Sequence, residues 1–248
     1  MCVPAVKAVV GYDSMPDVSN HQFVGKVSCY DCGMEKCSAI ILAGGASTRM
    51  GTDKAFLELG GMPLIARVME RVRVLADEVV ISANDAARFA AFDVRVVSDV
   101  MPNAGPLAGI CAGLEAIAHP SAIVVACDMP LLNVALLEYM RAFVPDFDVV
   151  LPQTVKVART DAENKGHALR AKDLALHPLH AIYTTRCRVP MRDALARGDR
   201  RMISFHDAVR VRVISPQEVA RFDPRGYSLW NVNTPEKWRE LQNIFRKL

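Results

Sequence analysis

Apolar residues recur along the chain in short runs that alternate with helical stretches. Residues 39–42 (AIIL) form a continuous apolar run ending in Ala43-Gly44-Gly45, the pattern of a strand buried on both faces. Residues 64–75 carry apolar positions at helical spacing, 78–82 (EVVIS) read as a second strand, 85–92 as a short helix and 94–97 (VRVV) as a third strand. A helix over 107–118 leads to a fourth strand at 122–126 (AIVVA), which ends at Cys127-Asp128. A helix over 133–143 then leads to a fifth strand at 148–151. Strands alternating with helices imply βαβ units and right-handed crossovers. The expectation is an α/β fold: a doubly wound, mostly parallel sheet with helices on both faces, Rossmann-like in outline.

Residues 156–176 break this rhythm and are polar, so they are expected to form a solvated insertion. The pattern resumes with a strand at 179–184, a helix near 190–197 that stops at Gly198, and an alternating strand at 209–214. Ser215-Pro216-Gln217-Glu218 reads as a capping box, and Thr234-Pro235-Glu236 starts the last helix with a threonine cap. A single folded domain is therefore expected over 37–248. Residues 1–36 are expected to be an N-terminal extension, either disordered or lying ahead of a natural start at Met34.

Composition narrows the function classes. Of 248 residues, 30 are Lys or Arg and 27 Asp or Glu, a net charge of +3 that is too small to imply nucleic-acid or membrane binding. Hydrophobic residues make up 51%, enough for a core without disulfide or metal staples. No apolar run approaches the ~20 residues of a membrane-spanning helix, and the N-terminus lacks a signal-peptide pattern. A cytoplasmic protein is the expectation. Four of the seven cysteines lie in the first 37 residues. Cys29, Cys32 and Cys37 could supply three thiolates to zinc, although no second well-spaced pair completes the set.

Ligands of doubly wound sheets bind beyond the carboxyl ends of the strands. That rule singles out the loop after Leu42, the residues after Ser82, the loop after Val97, and Asp128. The first of these runs Leu42-Ala43-Gly44-Gly45-Ala46-Ser47-Thr48-Arg49-Met50-Gly51-Thr52-Asp53-Lys54. Its glycines permit converging N–H groups, and Arg49 and Lys54 add positive charge where a triphosphate would lie. It matches neither the Walker A loop nor G-x-G-x-x-G. The plainer alternative is a tight strand-to-helix turn with surface charges. Asp128, at the end of an apolar strand, is placed to hold Mg²⁺ against substrate phosphates, or else to cap the following turn.

The pattern Leu42-Ala43-Gly44-Gly45-x-Ser47-x-Arg49-Met50-Gly51-x-Asp53-Lys54 resembles the signature loop of the molybdenum cofactor guanylyltransferases. Further matches follow in order: Gly61-Met62-Pro63-Leu64, Ser82-Ala83-Asn84, Asp99, Gly105-Pro106-Leu107-Ala108-Gly109-Ile110, Cys127-Asp128-Met129-Pro130, His177-Pro178-Leu179 and Asn231-Val232-Asn233-Thr234-Pro235. The resemblance covers about residues 37–241. It implies a nucleotidyltransferase that moves GMP from GTP to the phosphate of Mo-molybdopterin and releases pyrophosphate. It assigns catalysis to Lys54, Arg49 and Asp128, and the Mg²⁺ to Asp128. Leu42, Ala43, Gly44, Gly45, Lys54 and Asp99 would contact the nucleotide. Ser82 occupies the place of the family's nucleotide-contacting asparagine, with Asn84 two residues on. Amides around Gly105 and Gly109 are candidates for reading the base.

Asn231 and Asn233 are implied on the pterin side, with a turn and helix cap as the alternative. His177 and His180 could face the second substrate or be ordinary loop and strand residues, and Cys127 reads as packing. Cofactor-insertion and cofactor-delivery proteins would be partners. Leu-Ala-Gly-Gly, in place of the Leu-Ala-Ala-Gly of the related cytidylyltransferases, favours GTP over CTP. Cytidylyl transfer and a non-catalytic GTP-binding protein are the competing readings, with a zinc-dependent interaction module as a third for the N-terminus.

Overall fold

Every position of the first strand, β1 (Ser38–Leu42), is buried, as a central strand covered on both faces requires. The computed structural model describes residues 35–44, 53–99, 101, 104–155 and 174–247. Within them the chain continues through a small hairpin, β2 (Glu58–Leu59) and β3 (Met62–Pro63), to α1 (Leu64–Arg73), β4 (Glu78–Ser82) and β5 (Arg95–Val97). Next come α2 (Pro106–Ala116), β6 (Ser121–Ala126), α3 (Val134–Arg141), β7 (Val149–Val155), β8 (Leu174–Leu176) and β9 (His180–Thr184). The chain closes with α4 (Arg188–Ala196), β10 (Val211–Ile214), α5 (Pro216–Ala220) and α6 (Pro235–Phe245).

The main sheet runs β10-β7-β9-β6-β1-β4-β5, with β8 paired to β7 beside this path. β1 is parallel to both β4 and β6, and β4 to β5. β9 is antiparallel to both its neighbours. From β1 the chain winds outward to β4 and β5, then returns through α2 to β6 on the other flank. The carboxyl ends of β1 and β6 therefore form the topological switch point where such sheets bind ligands.

The two faces divide the strand residues by parity. Ala39 and Ile41 enter one core with Ile65, Val68 and Val72 of α1 and Leu136, Leu137 and Met140 of α3. Ile40 and Leu42 enter the other with Leu107, Ile110 and Leu114 of α2 and Met191 and Leu195 of α4. α2 lies close on the sheet because Gly113 faces Ile40, where a Cβ would meet the side chain at 2.7 Å. A third, smaller core joins Leu59, Leu64, Val232 and Leu241, with Trp230, Trp238 and Phe245 at its edge. It pins the C-terminal helix and the segment before it to the hairpin. No helix among the described residues is long and apolar enough to cross a membrane.

The expected elements are present with four differences. The stretch expected as insertion over 156–176 ends instead in β8, because Leu174-Ala175-Leu176 is apolar enough to pair with Val155, Thr154 and Gln153. The fifth strand continues past Leu151 to Val155. Pro152 stands in register with Ile214 of β10, and on the other edge of β7 it falls between the β9 ladder at Val149 and Val150 and the β8 ladder that starts at Gln153. The short helix expected at 85–92 is a 3₁₀ helix over Ala86–Phe92. The hairpin around Gly60 and Gly61, both at positive φ, was not anticipated. Residues 1–34 and 156–173, with the questions of extension and insertion, lie outside the described residues.

Candidate functional site

Three strand ends converge on a cleft of about 770 Å³ at the switch point. Its floor is Leu42-Ala43-Gly44 at the exit of β1, Ser82 at the exit of β4, and Ala126-Cys127-Asp128 at the exit of β6. Backbone bonds lock these exits together. Ala43 N donates to Ser82 O at 3.0 Å, Cys127 N to Leu42 O at 3.0 Å, and Ala83 N to Val97 O at 2.9 Å.

On the β4–β5 side, Asp99 is held by two residues. Asn84 Nδ2 donates to Asp99 Oδ2 at 3.3 Å, and Asp99 N donates back to Asn84 Oδ1 at 3.0 Å. Ser82 Oγ lies 3.5 Å from Asp99 Oδ1. The sequence left Ser82 and Asn84 as competing partners of the nucleotide; here both brace one carboxylate. Gly105, at φ 79°, is the N-cap of α2, and Pro106 follows at its first position. One turn on, a Cβ on Gly109 would meet Ser82 Oγ at 2.7 Å and Asp99 Oδ1 at 3.1 Å. The glycine is thus required for the helix to reach the strand ends. Both glycines line the cleft.

On the opposite side, Asp128 faces Lys54. Asp53 caps the 3₁₀ helix Lys54–Phe56, its side chain accepting from Ala55 N, and pairs with Arg88, whose guanidinium lies over the Phe56 and Phe89 rings. This short braced helix projects the Lys54 ammonium to 3.9 Å from Asp128 Oδ2 and 2.6 Å from Asn233 Oδ1. Val232 N donates to Asp128 O at 3.0 Å, which brings Asn231 and Asn233 from far along the chain to the same wall. Burial pushes the Asp128 carboxyl above its ordinary range, with Lys54 and more weakly Lys237 pulling back. Lys237 is a residue that sequence reasoning missed: its Nζ donates to Asn231 Oδ1 at 3.2 Å.

The far wall is the turn Leu176-His177-Pro178-Leu179. The His177 ring is held by Thr154 Oγ1 at 2.7 Å, and burial lowers its pKa, so the ring presented to the cleft is neutral near pH 7. His180 points the other way: it is fully buried, 3.5 Å from Ser228 Oγ, and does not line the cleft. Cys127 does line it, but burial pushes its thiol up to about 12, which leaves no nucleophilic thiolate. Cys37, considered as a zinc ligand, is buried and donates to Leu75 O at 3.3 Å. Gly45, Arg49, Cys29 and Cys32 lie outside the described residues.

Among the described residues no cluster of three His, Cys, Asp or Glu side chains could hold a metal by itself. Asp128, a largely desolvated carboxylate, opens onto a cleft large enough for a triphosphate. That donor set fits a hard divalent cation of the kind held by one or two carboxylates and completed by substrate phosphates.

Fold and site together define a nucleotidyltransferase. Residues 39–211 match the MobA-like NTP transferase domain, and the chain belongs to that family. It is 32% identical over 211 residues to the molybdenum cofactor guanylyltransferase of Desulfosudis oleivorans, covering 84% of this chain and 96% of the relative. It is 36% identical over 209 residues to that of Pseudomonas paraeruginosa, covering 83% and 94%. The crystal structure of molybdopterin-guanine dinucleotide biosynthesis protein A from Archaeoglobus fulgidus superposes with a TM-score of 0.68 at 22% identity, over 85% of this chain and 100% of that one. At that identity the likeness speaks for the fold.

Proposed function

We propose that this chain is a molybdenum cofactor guanylyltransferase, joining GMP from GTP to the terminal phosphate of Mo-molybdopterin. The observation that carries the reading is the Asp128–Lys54–Asn233 constellation at the switch point, in a chain 32–36% identical to guanylyltransferases over most of its length. A phosphate oxygen of the acceptor forms the new bond to the α-phosphorus of GTP. The bond from that phosphorus to the β-phosphate bridging oxygen breaks, and pyrophosphate leaves. The nucleophile is already an anion, so the site needs no general base. Its work is positioning and charge stabilisation.

Leu42, Ala43, Gly44, Gly45, Ser82, Asn84, Asp99, Gly105 and Gly109 form the nucleotide side in this reading. Lys54 and Arg49 face the phosphates, and Asn231 and Asn233 face the acceptor. Asp128 would hold Mg²⁺, which supplies Lewis-acid stabilisation of the charge that develops on the transferred group. Cys37, Cys111, Cys127 and Cys187 form no disulfide among the described residues, which fits the reducing cytoplasm in which we place the reaction. Cofactor-insertion and cofactor-delivery proteins are the partners this reading calls for.

Thermal unfolding with Mg²⁺ and each of GTP, CTP, ATP and UTP tests the nucleotide assignment. A ligand at about 100 times its Kd adds ~2.7 kcal/mol of stability. Stabilisation by GTP alone, weakened in Asp128→Ala, is the expected result. Preference for CTP would instead place the chain with the cytidylyltransferases.

A further inference from the structure

Among the described residues, Lys54 is the one cationic side chain that lines the cleft. Two anions must meet there in the transfer reading: a triphosphate, and an acceptor phosphate carrying about two negative charges. Both lie beside Asp128. A second source of positive charge stands one hydrogen bond behind the wall.

Asn231 and Asn233 line the cleft on either side of Val232, which is fully buried in the third core. Each amide oxygen is occupied by a lysine. Lys54 Nζ donates to Asn233 Oδ1 at 2.6 Å, and Lys237 Nζ donates to Asn231 Oδ1 at 3.2 Å. An ammonium can only donate, so it fixes which end of an amide faces it. Both amides thereby keep their Nδ2 ends, with two N–H donors each, available to the cleft. A pair of donor ends backed by two ammonium groups suits an acceptor-only anion better than a ring edge of mixed donors and acceptors.

Lys237 is itself held in place. Its backbone N donates to the Thr234 Oγ1 cap at 3.3 Å, and its neighbour Trp238 packs at the edge of the third core.

We propose that Lys237 is a positioning residue for the acceptor substrate. By holding Asn231 Oδ1 it turns the Asn231 amide donors to the acceptor's terminal phosphate, as Lys54 does for Asn233. Its positive charge is felt in the cleft through that amide. This rests on the transfer reading above.

The test uses the full chain with Lys237→Met, which keeps the stem and removes the charge, and Lys237→Arg, which keeps the charge. Transfer from GTP is followed against Mo-molybdopterin concentration. The KM for the acceptor is expected to rise about tenfold in Lys237→Met, while kcat and the KM for GTP stay within about twofold. Lys237→Arg recovers most of the loss. In an Asn231→Ala background, Lys237→Met costs less than about twofold more, because the lysine acts through that amide.

An unchanged acceptor KM in Lys237→Met overturns the proposal, and so does an equal loss of GTP affinity. Calorimetric binding of phenyl phosphate to the GTP-loaded protein separates this result from failure of the transfer reading. Weaker binding by Lys237→Met supports the lysine's role even if no molybdopterin product forms. Equal binding by the variant and the unaltered chain overturns it.

Discussion

Asp128 costs the fold something, and its site explains why it is there. Burial raises its carboxyl pKa above the ordinary 3.8, so the charged form destabilises the folded chain. For a carboxyl raised in the folded state, the associated stability is present below the unfolded pKa and lost as pH rises through the folded one. Asp128→Asn is therefore expected to raise Tm at pH 7 in the absence of nucleotide. That gain should vanish as the pH is lowered past the carboxyl's folded pKa. The same substitution is expected to lower kcat by about 10²–10³. Calorimetry across pH, beside an activity assay, checks both halves; a variant that melts lower than the parent at neutral pH would contradict the account.

Asp128 and Asp99 were legible in the sequence because each ends a strand in a doubly wound pattern. Lys237 was not, because a lysine in the first turn of a helix reads as solvated surface. Only the tertiary path of Asn231-Val232-Asn233 reveals what it touches.

At the scale of elements, α2 sets how closely a helix can lie on the strands that end at the site. Gly113→Ala would place a Cβ 2.7–3.0 Å from three Ile40 carbons. Overpacking of that kind costs about 1–3 kcal/mol, which exceeds the ~1 kcal/mol gain in helix propensity. Urea unfolding is expected to show a lower midpoint with an unchanged slope; a midpoint equal to the parent's would mean that α2 moves freely on the sheet.

Hydrophobic period identified β1, β4, β6 and the helices that cover them, because buried parallel strands carry unbroken apolar runs. It could not give the direction of β9, since a buried strand reads the same in either orientation. Nor could it reveal the two-residue strands β2 and β3, which are too short to carry a period. β8 was hidden by the polar stretch before it, and the run of β7 was cut short by Pro152, whose harmlessness depends on which neighbours flank it.

For the molecule as a whole, the titration of buried groups dictates how the fold responds to acid. Burial lowers His180 to about 3, and lowers His177 and His206 as well. A histidine depressed in the folded state contributes stability that is full above its unfolded value of 6.5. That stability is lost as pH falls toward the folded value, because the unfolded chain takes up the proton first. Asp148 adds a later loss. Burial alone would raise its pKa, but the Arg210 N–H and the Arg210 and Arg186 guanidinia outweigh burial and hold it below 3.8. Tm is expected to fall steadily from pH 6.5 downward, with net proton uptake on unfolding. His180→Gln is expected to flatten the upper part of that fall. A Tm flat between pH 6.5 and 4 would show that these rings are not buried as described.

The two cores meet on β1, so both faces of the sheet position one cleft. The central claim is that this cleft transfers guanylate. Its most direct test is product analysis after incubating the full chain with Mg²⁺, Mo-molybdopterin and equimolar GTP, CTP, ATP and UTP. The account predicts the guanine dinucleotide of the cofactor, with one pyrophosphate released per product. A cytosine dinucleotide, or pyrophosphate release with no dinucleotide, would contradict it.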